Sequence, residues 1–142
     1  MLNDLGKLGE ALIKFNDALQ IDEALYGAAH PRVASTLASL GITLKRLGNP
    51  QEATMCFKRV LEMDVDALGV IHPAIAYDFE SVGKELRALG DLKGACAAYG
   101  QALKIRERFL FAGHPSIEAT RKTLESLARK AKRGSRKAKQ DA

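Results

Sequence analysis

Apolar residues recur along this chain at helical steps. Between residues 8 and 26 they fall at Leu8, Ala11, Leu12, Phe15, Ala18, Leu19 and Tyr26. Steps of three and four put them on one face of an amphipathic helix. The pattern predicts a helix over Leu8–Leu25, with Gly27 just past its end. Residues 1–5 read as the last turn of a preceding helix, closed by a turn at Gly6. Val33, Leu37, Leu40, Leu44 and Leu47 predict a helix from Pro31 to Leu47. Ala53, Phe57, Val60, Leu61 and Leu68 predict one from Gln51 to Leu68. Ile75, Phe79, Val82 and Leu86 predict one from Pro73 to Leu89, and Ala95, Tyr99, Ala102, Leu103 and Leu110 one from Leu92 to Phe111. Proline suits the first turn of a helix, where its missing N–H costs nothing, so Pro31, Pro73 and Pro115 each mark a helix start. Gly48-Asn49-Pro50 and Gly90-Asp91 read as turns. Gly41 and Gly83 lie inside helices, where glycine costs about 1 kcal/mol against alanine, so they predict close helix–helix approach.

These helices repeat. His30-Pro31, His72-Pro73 and His114-Pro115 are 42 residues apart, and they contain all three histidines of the chain. Ala11, Ala53 and Ala95 keep the same step. So do Phe15, Phe57 and Tyr99, and so do Leu19, Leu61 and Leu103. A fixed period in this range predicts stacked structural repeats, each of which buries its apolar face only against its neighbours. The last copy departs from the others: Arg121 stands where Leu37 and Phe79 stand, and Glu125 where Gly41 and Gly83 stand. Charge at those positions predicts a terminal cap over about Pro115–Lys132.

The net charge of +5 is not spread evenly. Residues 1–128 carry 15 Lys and Arg against 16 Asp and Glu, whereas residues 129–142 carry seven against one. The expected organisation is therefore a helical repeat domain over 1–132 and a basic tail over 133–142. The tail holds no bulky hydrophobe and is expected to be disordered. No apolar run has the length of a membrane span, and no basic-then-apolar leader opens the chain, so a cytoplasmic protein is expected, or a nuclear one if the tail directs it. Cys56 and Cys96 are 40 apart, off the repeat step, which argues for two reduced thiols rather than a metal or disulfide framework.

The repeated residues resemble the tetratricopeptide repeat. The matching set is Leu37, Leu40-Gly41, Leu44, Gly48, Ala53, Phe57 and Leu61, and again Phe79, Val82-Gly83, Leu86, Gly90, Ala95, Tyr99 and Leu103. The 42-residue step, with HPRVASTLASLGITLKRLG followed by EATMCFKRVLEM, is similar to the kinesin light chain-like subtype. The resemblance covers about residues 5–128. It implies an all-α, right-handed superhelical stack of antiparallel helix pairs with a capping helix, whose first helices line a concave, non-catalytic protein-binding face. The Asn-Asn pair with which kinesin light chains hold cargo falls here on Ala38-Ser39, Glu80-Ser81 and Lys122-Thr123.

Little in the sequence suggests catalysis. It lacks a glycine-rich phosphate loop, a nucleophile elbow and a His-Glu-x-x-His motif. Histidines one repeat apart are too far separated to share a metal, whose ligands lie within about 2 Å of the ion. No cofactor and no enzyme activity are expected. On the face that the resemblance makes concave, the non-core positions are Ser35, Ala38, Ile42, Lys45 and Arg46, then Tyr77, Glu80, Lys84, Arg87 and Ala88, then Ala119, Lys122, Ser126, Arg129 and Lys130. Seven of these fifteen are Lys or Arg and one is acidic. A concave surface of one sign steers ligands of the other, so the expected ligand is an acidic peptide. The expected contacts are Ser35, Ile42, Lys45, Arg46, Tyr77, Lys84, Arg87, Lys122 and Ser126. The basic tail, with Arg129, Lys130, Lys132, Arg133, Arg136, Lys137 and Lys139, has three readings: a nuclear-import or nucleic-acid patch, a contact for anionic membrane, or a solubilising end. The first helix lacks a covering partner. The expectation there is a piece of a longer array, with self-association of that helix as the alternative.

Overall fold

The computed structural model describes residues 2–64, 68 and 73–141. Six helices are described: α1 (Leu2–Tyr26), α2 (Pro31–Arg46), α3 (Pro50–Leu61), α4 (Ile75–Ala88), α5 (Leu92–Phe109) and α6 (Pro115–Asp141). Each packs most extensively on its chain neighbour, α1 on α2, α2 on α3, α4 on α5 and α5 on α6. Smaller contacts of α2 and α3 with α4, and of α3 with α5, join the pairs. The fold is an all-α, tetratricopeptide-like solenoid.

The turns explain why so few residues are needed between helices. At the end of α2 the Asn49 N–H reaches the Leu44 carbonyl at 2.9 Å and the Gly48 N–H reaches Lys45 at 3.1 Å. At the end of α4 the Asp91 N–H reaches Leu86 at 2.9 Å and the Gly90 N–H reaches Arg87 at 3.0 Å. Both are Schellman closures, which need a left-handed residue; Gly48 and Gly90 supply it with φ of 87° each. At the second turn the next residue also caps the following helix: Asp91 accepts from the Gly94 N–H at 2.9 Å, a bond that Asn49 does not make at the first. The His-Pro pairs have a more specific role than that of a turn. His30 Nδ1 accepts from the Arg32 N–H at 3.1 Å, and His114 Nδ1 accepts from the Ser116 N–H at 3.1 Å. Each imidazole is thus a helix N-cap, with its proline at the first helical position. His72 lies outside the described residues.

Several expected boundaries move. α1 runs through Gly6 and Gly9 without a turn, because neither takes the left-handed conformation of Gly48 and Gly90. The helix expected to reach Leu68 ends at Leu61. Its last turn tightens there, with the Met63 N–H on the Val60 carbonyl at 3.2 Å, and the weak helix former Asp64 follows. Leu68 is helical and fully buried. α4 begins at Ile75 rather than Pro73, after a turn at Pro73-Ala74. α5 ends at Phe109. The segment expected to be disordered from residue 133 is helical: α6 passes the 132/133 boundary unbroken and reaches Asp141. Lys, Arg, Ala and Gln are good helix formers, and a helix already nucleated against the stack extends at little cost.

The core is one continuous cluster that includes Leu37, Phe57, Val60, Phe79, Val82, Leu86, Ala98 and Leu127. Ala38, expected on the groove face, belongs to it. Its tightest points are the two interior glycines. A Cβ at Gly41 would lie 2.5 Å from Phe57 Cε1, and one at Gly83 would lie 2.8 Å from the Tyr99 ring. Phe57 is fully buried, whereas Tyr99 is part-exposed and its ring has room to retreat. Gly41→Ala is therefore expected to lower stability by about 1–3 kcal/mol through overpacking. Gly83→Ala is expected to cost under about 1 kcal/mol, since the helix-propensity gain offsets a smaller clash. The midpoints of urea unfolding, at unchanged slope, read the difference; equal losses would show that burial of the ring does not set the cost.

Candidate functional site

A cleft of about 440 Å³ opens between α4 and α6, with α5 as its floor. α4 contributes Tyr77, Glu80, Ser81 and Lys84; α5 contributes Tyr99 and Arg106; α6 contributes Ser116, Ala119, Thr120 and Thr123. Helical periodicity sets this lining. On α4 the cleft residues alternate with Phe79, Val82 and Leu86, which point into the core.

Arg106 is the unusual member. It is only 7% exposed, and burying a guanidinium requires compensation. One source is Glu80, whose Oε2 accepts from Arg106 Nη2 at 3.0 Å. Another is Tyr77, whose ring centroid lies 4.7 Å from the guanidinium carbon and covers it. The Nε–H is buried with no acceptor. The other oxygen of Glu80 accepts from the Thr120 hydroxyl at 2.6 Å, so one carboxylate ties α4 to both α5 and α6. Burial and the Glu80 charge raise the Tyr99 phenol, partly opposed by Arg87, so it remains a neutral hydroxyl in the cleft. The lining thus joins a balanced ion pair, a free-standing ammonium at Lys84, four aliphatic hydroxyls and two phenols. Chemically it suits a polar or anionic segment seated by hydrogen bonds.

Of the residues proposed from sequence, Tyr77 and Lys84 line this cleft. Ser35, Arg46, Arg87 and Lys122 are exposed outside it, and Ser126 is half-buried on α6. Ile42 packs against the core. Lys45 is not an unmatched cation: its Nζ is 2.6 Å from Glu85 Oε2, an ion pair that bridges α2 and α4. Arg129, Lys130, Lys132, Arg133, Arg136 and Lys137 are exposed along α6, while the side chain of Lys139 lies outside the described residues.

Sequence reasoning missed Arg106 and Thr120. A signal for Arg106 was present. The same repeat position carries Asp22 and Asp64 in the earlier copies. Asp22 is likewise buried at a helix junction, accepting from the Thr36 hydroxyl at 3.2 Å, with Arg32 Nε at 3.5 Å. The third copy reverses the charge at a position that is buried in the first.

Residues 1–64 match the family model of the tetratricopeptide repeat. Repeats of this family mediate protein–protein interaction. A search of curated proteins finds no match. No cluster of three or more His, Cys, Asp or Glu among the described residues could hold a metal ion. No described helix is long and apolar enough to cross a membrane.

Both cysteines are free and half-buried. Burial raises the Cys56 thiol, with Glu52 adding and Arg59 opposing, and burial also raises Cys96. Because the fold favours the neutral thiols, their contribution to stability is intact below the ordinary thiol range and fades as pH rises through the folded values. Thiolate is the reactive form. Alkylation by iodoacetamide at pH 7–8 is therefore expected to be slower in the native protein than in urea, with the gap narrowing above the ordinary thiol range. Equal rates in both states would contradict this.

Proposed function

We propose that this chain is a non-catalytic scaffold that binds an acidic segment of a protein partner along the face shared by α2, α4 and α6. The observation that carries the reading is the cleft floored by Arg106. It is bounded by Lys84, and Arg87 is exposed on the next turn of α4. Arg46 and Lys122 extend the cationic rim on α2 and α6, and among the described residues none of these four is in an ion pair. Lys45 drops out as a source of charge because Glu85 neutralises it. The exposed phenyl face of Tyr77 supplies apolar contact. We also read the repeats as the kinesin light chain-like form, on the strength of the 42-residue step and the His-Pro caps.

The test uses a labelled, extended peptide of alternating Glu and Leu, titrated with the full chain at physiological salt. Lys84→Glu with Arg87→Glu replaces two attractive charges by repulsive ones at exposed positions, so folding is not at issue. Affinity is expected to fall at least tenfold, about 1.4 kcal/mol. Unchanged affinity would refute the groove reading.

A further inference from the structure

The stripe that holds α6 against α5 thins along the helix. Ile117, Thr120 and Leu127 are buried, Ala131 is half-buried, and from Lys132 to Lys137 every residue is exposed. The helix nevertheless continues to Asp141. Residues 128–141 are thus the outer arm of the helix, about 21 Å long at about 1.5 Å per residue, with every side chain from Lys132 to Lys137 clear of the stack.

The charge on this arm is ordered. At about 100° per residue, Arg129, Lys130, Lys132, Arg133, Arg136 and Lys137 occupy one arc of about 160°. Ala128, Ala131, Gly134 and Ser135 occupy the opposite side. Among the described residues none of the six cations makes an ion pair. Six charges over residues 129–137 amount to one per about 2.2 Å of helix, close to the one negative charge per about 1.7 Å along duplex DNA. A helix about 10–12 Å across also matches the major groove of B-form DNA, about 12 Å wide, whereas the RNA major groove is too narrow.

We propose that residues 128–141 form a helical arm that binds the phosphate backbone of B-form duplex DNA from within its major groove, without reading sequence. Other polyanions fit less well. An in-plane membrane helix needs bulky apolar residues opposite its basic face, and this arm has Ala, Gly and Ser there. Single-stranded nucleic acid is held by stacking on aromatic side chains, and residues 128–141 contain none.

The test is fluorescence anisotropy of a labelled random-sequence DNA duplex with the full chain. The comparison is a variant carrying Arg129→Gln, Lys130→Gln, Lys132→Gln, Arg133→Gln, Arg136→Gln and Lys137→Gln. Glutamine keeps helix propensity, and circular dichroism checks that the helix persists. For four to six phosphate contacts, log affinity should fall with log salt with a slope of about −3.6 to −5.4. The Gln variant should bind at least 100-fold more weakly at low salt, and Lys84→Glu with Arg87→Glu should leave DNA binding intact. The proposal fails if the full chain does not bind the duplex or the Gln variant binds equally well. It also fails if phosphatidylserine vesicles, duplex RNA or polyglutamate displace the DNA at equal charge.

Discussion

The stack depends on an aromatic ring pressed onto a glycine. In the two complete pairs the second helix drives Phe57 or Tyr99 against the first helix where no Cβ stands. Dispersion falls steeply with separation, so this approach is what lets the flanking leucines interlock without voids. It also accounts for glycine in the middle of a helix, at a local cost in propensity that the packing outweighs. The short Schellman turns follow, since helices held that close must be joined by few residues.

α6 shows what happens when this contact is withdrawn. Glu125 takes the glycine position and Arg121 the apolar position before it. Arg121 bonds Glu118 at 2.6 Å and approaches Glu107 at 3.3 Å, which spends its charge on the surface of α5 rather than on a further helix. With that side closed, the rest of α6 is available for other work. One face meets α5 through Ile117 and Leu127, and another supplies Ser116, Thr120 and Thr123 to the cleft. α1 is the converse case. Phe15 is in register with Phe57 and Tyr99, but only the α2 side of the helix is covered, and Ile13, Ile21 and Leu25 remain exposed.

The fold was legible because the 42-residue step samples the same packing problem repeatedly, and the copies around Gly41 and Gly83 state the same answer. Boundaries were legible where chemistry enforces them, as at Gly48 and Gly90. They failed where apolar spacing alone was the guide. Leu61 and Leu68 are two helical turns apart, yet the helix stops at Leu61. The cleft was only partly legible. The resemblance put Tyr77 and Lys84 on the inward face of their helix, where they line the cleft, but neither it nor periodicity says which cations are already matched. Lys45 looks equivalent to Lys84 in sequence, and only the approach of α4 to α2 brings Glu85 to it.

Arg106 shows why a departure from a repeat is more informative than the repeat. The position is buried by the architecture, so whatever occupies it must be compensated there. Asp22 meets that demand with a hydroxyl and a cation from α2. Arg106 meets it with Glu80, whose second oxygen then recruits Thr120, and with the face of Tyr77. The reversal therefore reorganises three helices around one side chain and leaves Nε–H unanswered. A buried donor without a partner is costly in any fold, about 1–3 kcal/mol. In this one it lies at the junction where α4 and α6 part to form the cleft, so the cost falls where the charge reversal left the packing of the three helices incomplete.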